Sequence, residues 1–105
     1  MKIIYNRWIP FKGFLAINLF GVMFVRGKAA DVTPRLINHE RIHTAQMREL
    51  GYVPFYIIYF LEWLYRFTRK GNAYRNISFE REAYANDGNP DYLRTRRKHA
   101  MWRQA

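Results

Sequence analysis

A chain of 105 residues, half of them apolar, supports one domain with a real core but no separate substrate domain. It has no cysteine, which excludes disulfides and thiolate metal sites and leaves His, Asp and Glu as the only strong metal ligands. The 18 Lys plus Arg against 8 Asp plus Glu give a net charge of +10, which favours anionic partners, and 8 Tyr, 8 Phe and 3 Trp argue for an ordered chain.

The apolar start is broken by Asn6 and Arg7, so it does not read as a secretory signal. Residues 2–26 are dense in Ile, Val, Phe and Tyr, and read as strands over 2–8, 14–20 and 22–25. Pro10-Phe11-Lys12-Gly13 has the composition of a tight turn, which predicts a hairpin between the first two strands. Gly21 fits either a second turn or a bulge. Were a strand edge to border a binding site, a peptide could pair with it.

A polar connector over 27–31 leads to Thr33-Pro34, an N-cap followed by proline at the first helical position, and Gly51 closes the same helix, predicted over about 34–50. Within it lies His39-Glu40-Arg41-Ile42-His43. The HExxH spacing stacks His39 and His43 on one helical face, where both imidazoles can meet one cation. Glu40 beside them is placed to act as the general base of a zinc hydrolase. Leu36, Glu40, His43, Met47 and Leu50 form the inward stripe, and Arg35, Arg41 and Arg48 the polar back.

The next helix, about 54–70, is apolar nearly all round from Phe55 to Phe67. This predicts a central packing helix buried on several sides, with contact to lipid as the other reading. Its most apolar run, 52–61, is too short to span a bilayer and ends at Glu62. Glu62 can pair with Arg66 at i, i+4 or orient a ligand imidazole by accepting a hydrogen bond from its other N–H. Residues 72–78 read as a loop, Ser78 as the cap of a short helix at about 79–87, and Asn89-Pro90 as the start of a basic helix at about 90–104. The basic face of that helix, with Arg94, Arg96, Arg97, Lys98 and Arg103, is expected to be solvated, and His99 a bystander. The expected fold class is α+β: a small N-terminal antiparallel sheet or hairpin followed by a bundle of about four helices, one domain over 1–105.

Catalytic zinc normally has three protein ligands, and two imidazoles leave one to find. The extended HExxHxxGxxH spacing is absent, because position 46 is Gln and position 49 is Glu. The acids that follow are Glu49, Glu62, Glu80, Glu82, Asp87 and Asp91. Here the chain resembles the gluzincin clan of metallopeptidases, and in length the minigluzincins, over about residues 33–87. In that clan the third ligand is a Glu on a later helix, and Ser78-Phe79-Glu80-Arg81-Glu82-Ala83-Tyr84 is similar to that segment. Glu80 and Glu82 stand about 200° apart around a helix and cannot both face one ion. Glu80, nearer the helix N-terminus and next to Phe79, is the expected ligand, and Glu82 the alternative. Neither is followed four residues on by the Asp that relatives use to steady a ligand. The resemblance implies peptide-bond hydrolysis with Zn²⁺ held by His39, His43 and Glu80, Glu40 as general base, and a peptide or protein substrate. Tyr74, Arg75 and Tyr84 are suited to oxyanion stabilisation. A different class fits the same ligands: a non-catalytic module in which zinc staples helices together. The expected location is cytoplasmic, with peripheral contact to an anionic membrane surface as a further reading of the charge, and no specific nucleic-acid partner is expected.

Overall fold

Three strands form one sheet in the computed structural model, which describes residues 2–9 and 14–103. Strands β1 (Lys2–Asn6), β2 (Ala16–Leu19) and β3 (Val22–Arg26) lie in the order β1-β3-β2, with β1 parallel and β2 antiparallel to β3. The hairpin therefore joins the second and third strands rather than the first and second, and the sheet is mixed rather than antiparallel. Its cause is the pair Phe20-Gly21. Both residues adopt positive φ, 53° and 89°, as a two-residue hairpin loop requires, and Leu19 pairs with Val22 across it. Gly21 is a turn residue, not a bulge. The tight turn expected at 10–13 lies outside the described residues. From the central strand, Met23 and Val25 are fully buried, as is Ile42 on the first helix.

Helix α1 (Pro34–Leu50) begins and ends where its punctuation predicts. The Thr33 side chain accepts from the Leu36 N–H at 3.1 Å, Pro34 opens the helix, and Gly51 leaves it at φ 75°. Helix α2 (Tyr52–Phe67) follows at once, two residues earlier than expected and three shorter at its far end. Pro54 thus sits in the first turn rather than at its first position, where a missing N–H still costs nothing.

Two short elements correct the reading of residues 72–78 as a loop. Helix α3 (Ala73–Asn76) is capped by the Asn72 side chain, which accepts from the Arg75 N–H at 3.2 Å. In helix α4 (Ser78–Asn86), Ser78 is the first helical residue and not the cap. The capping oxygens come from α2: Glu62 accepts from the Ser78 N–H at 3.0 Å and from its hydroxyl at 2.7 Å. A carboxylate at a helix N-terminus also meets the positive end of the helix dipole. Glu62 is therefore spent on holding α4 in place, not on orienting an imidazole.

The basic C-terminal helix is broken. Only α5 (Tyr92–Thr95) is helical, followed by a 3₁₀ turn at Ala100–Trp102, with His99 left-handed at φ 58° between them. The reason is Arg96, expected on a solvated face but buried instead, its side chain only 6 % exposed. Its guanidinium donates to Glu82 at 2.5 and 3.1 Å and to Glu49 at 2.9 Å, while the His99 N–H donates to the other Glu49 oxygen at 2.9 Å. These contacts draw the backbone out of helix after Thr95 and dock Met101 into the core. That core is Met47, Phe55, Ile77, Phe79 and Met101. α2 is correspondingly not a central helix: Phe55 is its one fully buried residue, and its outer flank is open.

Removing one partner of a buried charge set leaves the others uncompensated, at a cost of about 3–5 kcal/mol. Arg96→Ala should therefore lower stability by about that amount in urea unfolding, whereas Arg94→Ala and Arg97→Ala, on exposed side chains, should change it by less than about 0.5 kcal/mol.

Candidate metal centre

α1 and α4 pack face to face, and between them three side chains converge. Glu80 Oε1 lies 3.0 Å from His39 Nε2 and 3.0 Å from His43 Nε2, and the two imidazole nitrogens are 3.2 Å apart. All three side chains are buried. A tetrahedral ion with bonds of about 2.0–2.1 Å sets its ligand atoms about 3.3 Å apart. The donor set and its spacing fit such an ion. Two His and one carboxylate are also a ligand set of catalytic zinc sites.

Each of the three is steadied from behind, as metal ligands usually are. His39 Nδ1 is 3.0 Å from Asp87 Oδ2, and Asp87 is held in turn by Arg35 at 2.6 Å and, through its carbonyl, by Asn38 at 3.0 Å. His43 Nδ1 is 2.8 Å from the Gln46 oxygen, whose amide donates to the Phe79 carbonyl and to Glu82, both at 3.0 Å. Since Gln46 presents an oxygen, His43 holds a proton on Nδ1, which leaves Nε2 as the atom that faces Glu80 and His39, donating to Glu80 while no ion is held and free to ligate once that proton is released. The second Glu80 oxygen accepts from the Tyr59 hydroxyl at 2.6 Å. Tyr84 lies edge-on to His39 at 4.6 Å between ring centroids.

Of the residues singled out from sequence, the structure brings together His39, His43 and Glu80, with Glu40 beside them. Glu82 is elsewhere: fully buried, it bonds to Arg96, Gln46 and Tyr92. The steadying Asp, absent four residues after either glutamate, is supplied by Asp87. Seven residues beyond Glu80, it is two turns along the same line, and an i+7 search would have found it. Nothing in the local pattern marks Gln46, Tyr59 or Asn18 for the site, and Arg35, on the polar back as expected and 66 % exposed, reaches Asp87 with its guanidinium. Their roles depend on contacts 21 to 52 residues away in sequence, which no local pattern announces.

His43, Glu80 and Glu40 line one end of a cavity of about 330 Å³, whose walls are mainly apolar: Ala16 and Ile17 of β2, Met47, Phe55, Tyr56, Tyr59 and Tyr74. Burial raises the Glu40 carboxyl above the ordinary carboxylate range, against the opposing pull of His43 and His39. Tyr74 is pushed up, chiefly by burial and then by the Glu80 charge, so its phenol stays protonated. Of the three oxyanion candidates, Tyr74 borders the cavity, whereas Tyr84 packs on His39 and the Arg75 guanidinium lies over the Tyr84 ring at 4.2 Å.

β2 is an edge strand, and Asn18 fastens it to α1. The Asn18 amide donates to the Glu40 carbonyl and the Thr44 hydroxyl, both at 2.9 Å, and its oxygen accepts from the Gly21 N–H at 2.9 Å. The Arg26 N–H bonds to the Leu15 carbonyl, so alternation along β2 turns the backbone of Ala16 and Asn18 to the outer edge. There the Tyr56 hydroxyl donates to the Asn18 carbonyl at 3.0 Å and accepts from the Phe20 N–H at 2.9 Å. Comparison with family models, curated proteins and solved structures finds no match to this chain.

Burial alone would lower the His43 pKa, but the Glu80 carboxylate outweighs it and pushes the metal-free group from 6.5 up to about 9. A raised folded-state pKa stabilises fully below the unfolded value and is lost as pH rises through the folded one. Chelator-treated protein should therefore lose thermal stability between about pH 6.5 and 9, a loss that added zinc suppresses. Zinc uptake at pH 7.5 should release about one proton per chain, read by calorimetry in buffers of different ionisation enthalpy.

Proposed function

We propose that the protein is a minimal zinc-dependent peptidase, with His39, His43 and Glu80 as the ligands and Glu40 as general base. The observation that carries the reading is the joining of a two-His, one-Glu cluster to a cavity bounded by an edge strand. A zinc ion held there supplies Lewis acidity, which makes water acidic near neutral pH and polarises a carbonyl.

The chain's own residues do the rest. Glu40, its carboxyl raised above the usual carboxylate range by burial, is a stronger proton acceptor than an exposed glutamate and can return that proton to a leaving amine. An extended peptide adds to the open edge of β2 at Ala16, as strands add to exposed edges elsewhere, which lays a backbone carbonyl along the cavity towards Glu40 and His43. Tyr74 offers a phenolic donor at the same wall for the oxyanion. The mainly apolar walls favour apolar side chains next to the scissile bond. The alternative of a purely structural zinc staple accounts for the cluster but not for the cavity that reaches Glu40, His43 and Glu80.

Metal analysis on protein made without an affinity tag should give about one zinc per chain, lost in His43→Ala and Glu80→Ala and retained in Glu82→Gln. Glu40→Gln should keep the zinc and lower hydrolysis of unfolded protein or a mixed peptide library by about 10²-fold or more. Full turnover by Glu40→Gln, or zinc-loaded protein inert towards every peptide, would refute the catalytic assignment.

A further inference from the structure

α2 has two unlike flanks. One carries Phe55 into the core and Tyr59 to Glu80. The other repeats Val53, Ile57, Phe60, Leu61, Leu64 and Phe67 at three- and four-residue steps, an apolar stripe along the full helix, each side chain between 44 % and 68 % exposed. At its N-terminal half the stripe continues onto the hairpin tip, where Leu19 and Phe20 join Val53, Ile57 and Phe60 around a shallow groove with almost no polar surface. Phe20 holds left-handed backbone at φ 53°, a conformation costly for a bulky residue, and keeps an exposed aromatic ring on the stripe. Among the described residues nothing covers this surface. Contiguous apolar patches on a folded chain mark a binding partner.

We infer that the stripe is a membrane-docking surface that lies on anionic phospholipid. The partner's chemistry follows from what borders the stripe. Past its end the helix runs into the exposed Arg69 and Lys70, and the Arg69 guanidinium lies over the Tyr65 ring at 4.9 Å. Aromatic rings beside cations suit the headgroup layer, with apolar side chains below them and phosphates around them. The net charge of +10 points the same way, since a second copy of the chain would bring like charges together while an anionic bilayer neutralises them. The groove offers an acyl chain room but offers a protein no hydrogen-bonding group to read. Among the described residues no helix is long and apolar enough to cross a membrane, and at 16 residues α2 is about 24 Å long. It lies along the surface, not through it.

This inference is independent of the metal site, so its test needs no turnover. The full chain is pelleted with vesicles of phosphatidylcholine containing one part in three of phosphatidylglycerol, and with phosphatidylcholine alone. At low ionic strength the protein should sediment with the anionic vesicles, and binding should weaken as salt rises. The double variant Phe60→Ser with Leu64→Ser should reduce binding by about tenfold or more. Arg69→Glu with Lys70→Glu, a pair beyond the helix and away from the core, should do the same at low salt. Circular dichroism of each variant establishes that it is folded, and Phe67→Ser serves as a third stripe variant should the first pair unfold. Three outcomes overturn the inference: no sedimentation with anionic vesicles at low salt, equal binding by the folded stripe variants, or a dimer in sedimentation equilibrium that the stripe variants split while wild type ignores vesicles.

Discussion

One carboxylate oxygen shared between two imidazoles sets the terms for the rest of this structure. Glu80 Oε1 sits 3.0 Å from both His39 and His43 in a place from which water is largely excluded. A charged group there is tolerable only if every polar atom around it is engaged. The demand spreads outwards, from His39 to Asp87 to Arg35, from His43 to Gln46 to Glu82, and from Glu80 to Tyr59. Elements that otherwise have little in common, the start of α1, the turn after α4, the middle of α2, are fixed relative to each other by those chains. No side-chain polar atom deep within the described residues lacks a partner.

The same demand explains where sequence reading succeeds and where it stops. The pairing of His39 with His43 is readable because helical periodicity is a local property, and the bounds of α1 follow from Thr33-Pro34 and Gly51 for the same reason. Strand pairing is not local. Residues 2–8, 14–20 and 22–25 carry the right composition, but the order β1-β3-β2 depends on Phe20 accepting a positive φ, which its side chain would not suggest. Arg96 shows the converse failure. Five basic residues in ten read as a solvated helix, and a single one of them turned inward on Glu82 and Glu49 breaks that helix. Glu62 was legible as a useful acid but not as the cap of another helix, because its partner Ser78 is 16 residues away.

α2 illustrates how one helix can serve two environments. Its uniform apolarity suggests burial on all sides, yet the chain has only enough mass to cover one flank, and the rest stays open. The flank that is covered supplies both packing, through Phe55, and chemistry, through Tyr59. Tyr56 stands on the border between the two flanks, touching the cavity by the metal centre and the groove beside Phe20, while its hydroxyl fastens β2. A load placed on the outer flank would be felt at the strand edge through that one ring.

The link from His43 through Gln46 and Glu82 to Arg96 also orders events in time. Glu82 has no exposed surface, and before Arg96 arrives its charge would face Gln46 and Tyr92 alone. The seam between α1 and α4 can therefore close dry only once residue 96 has docked. Closing of the seam between α1 and α4 and docking of residue 96 are therefore one event, and a chain in which that segment is loose also loses the hold on Gln46 that steadies His43.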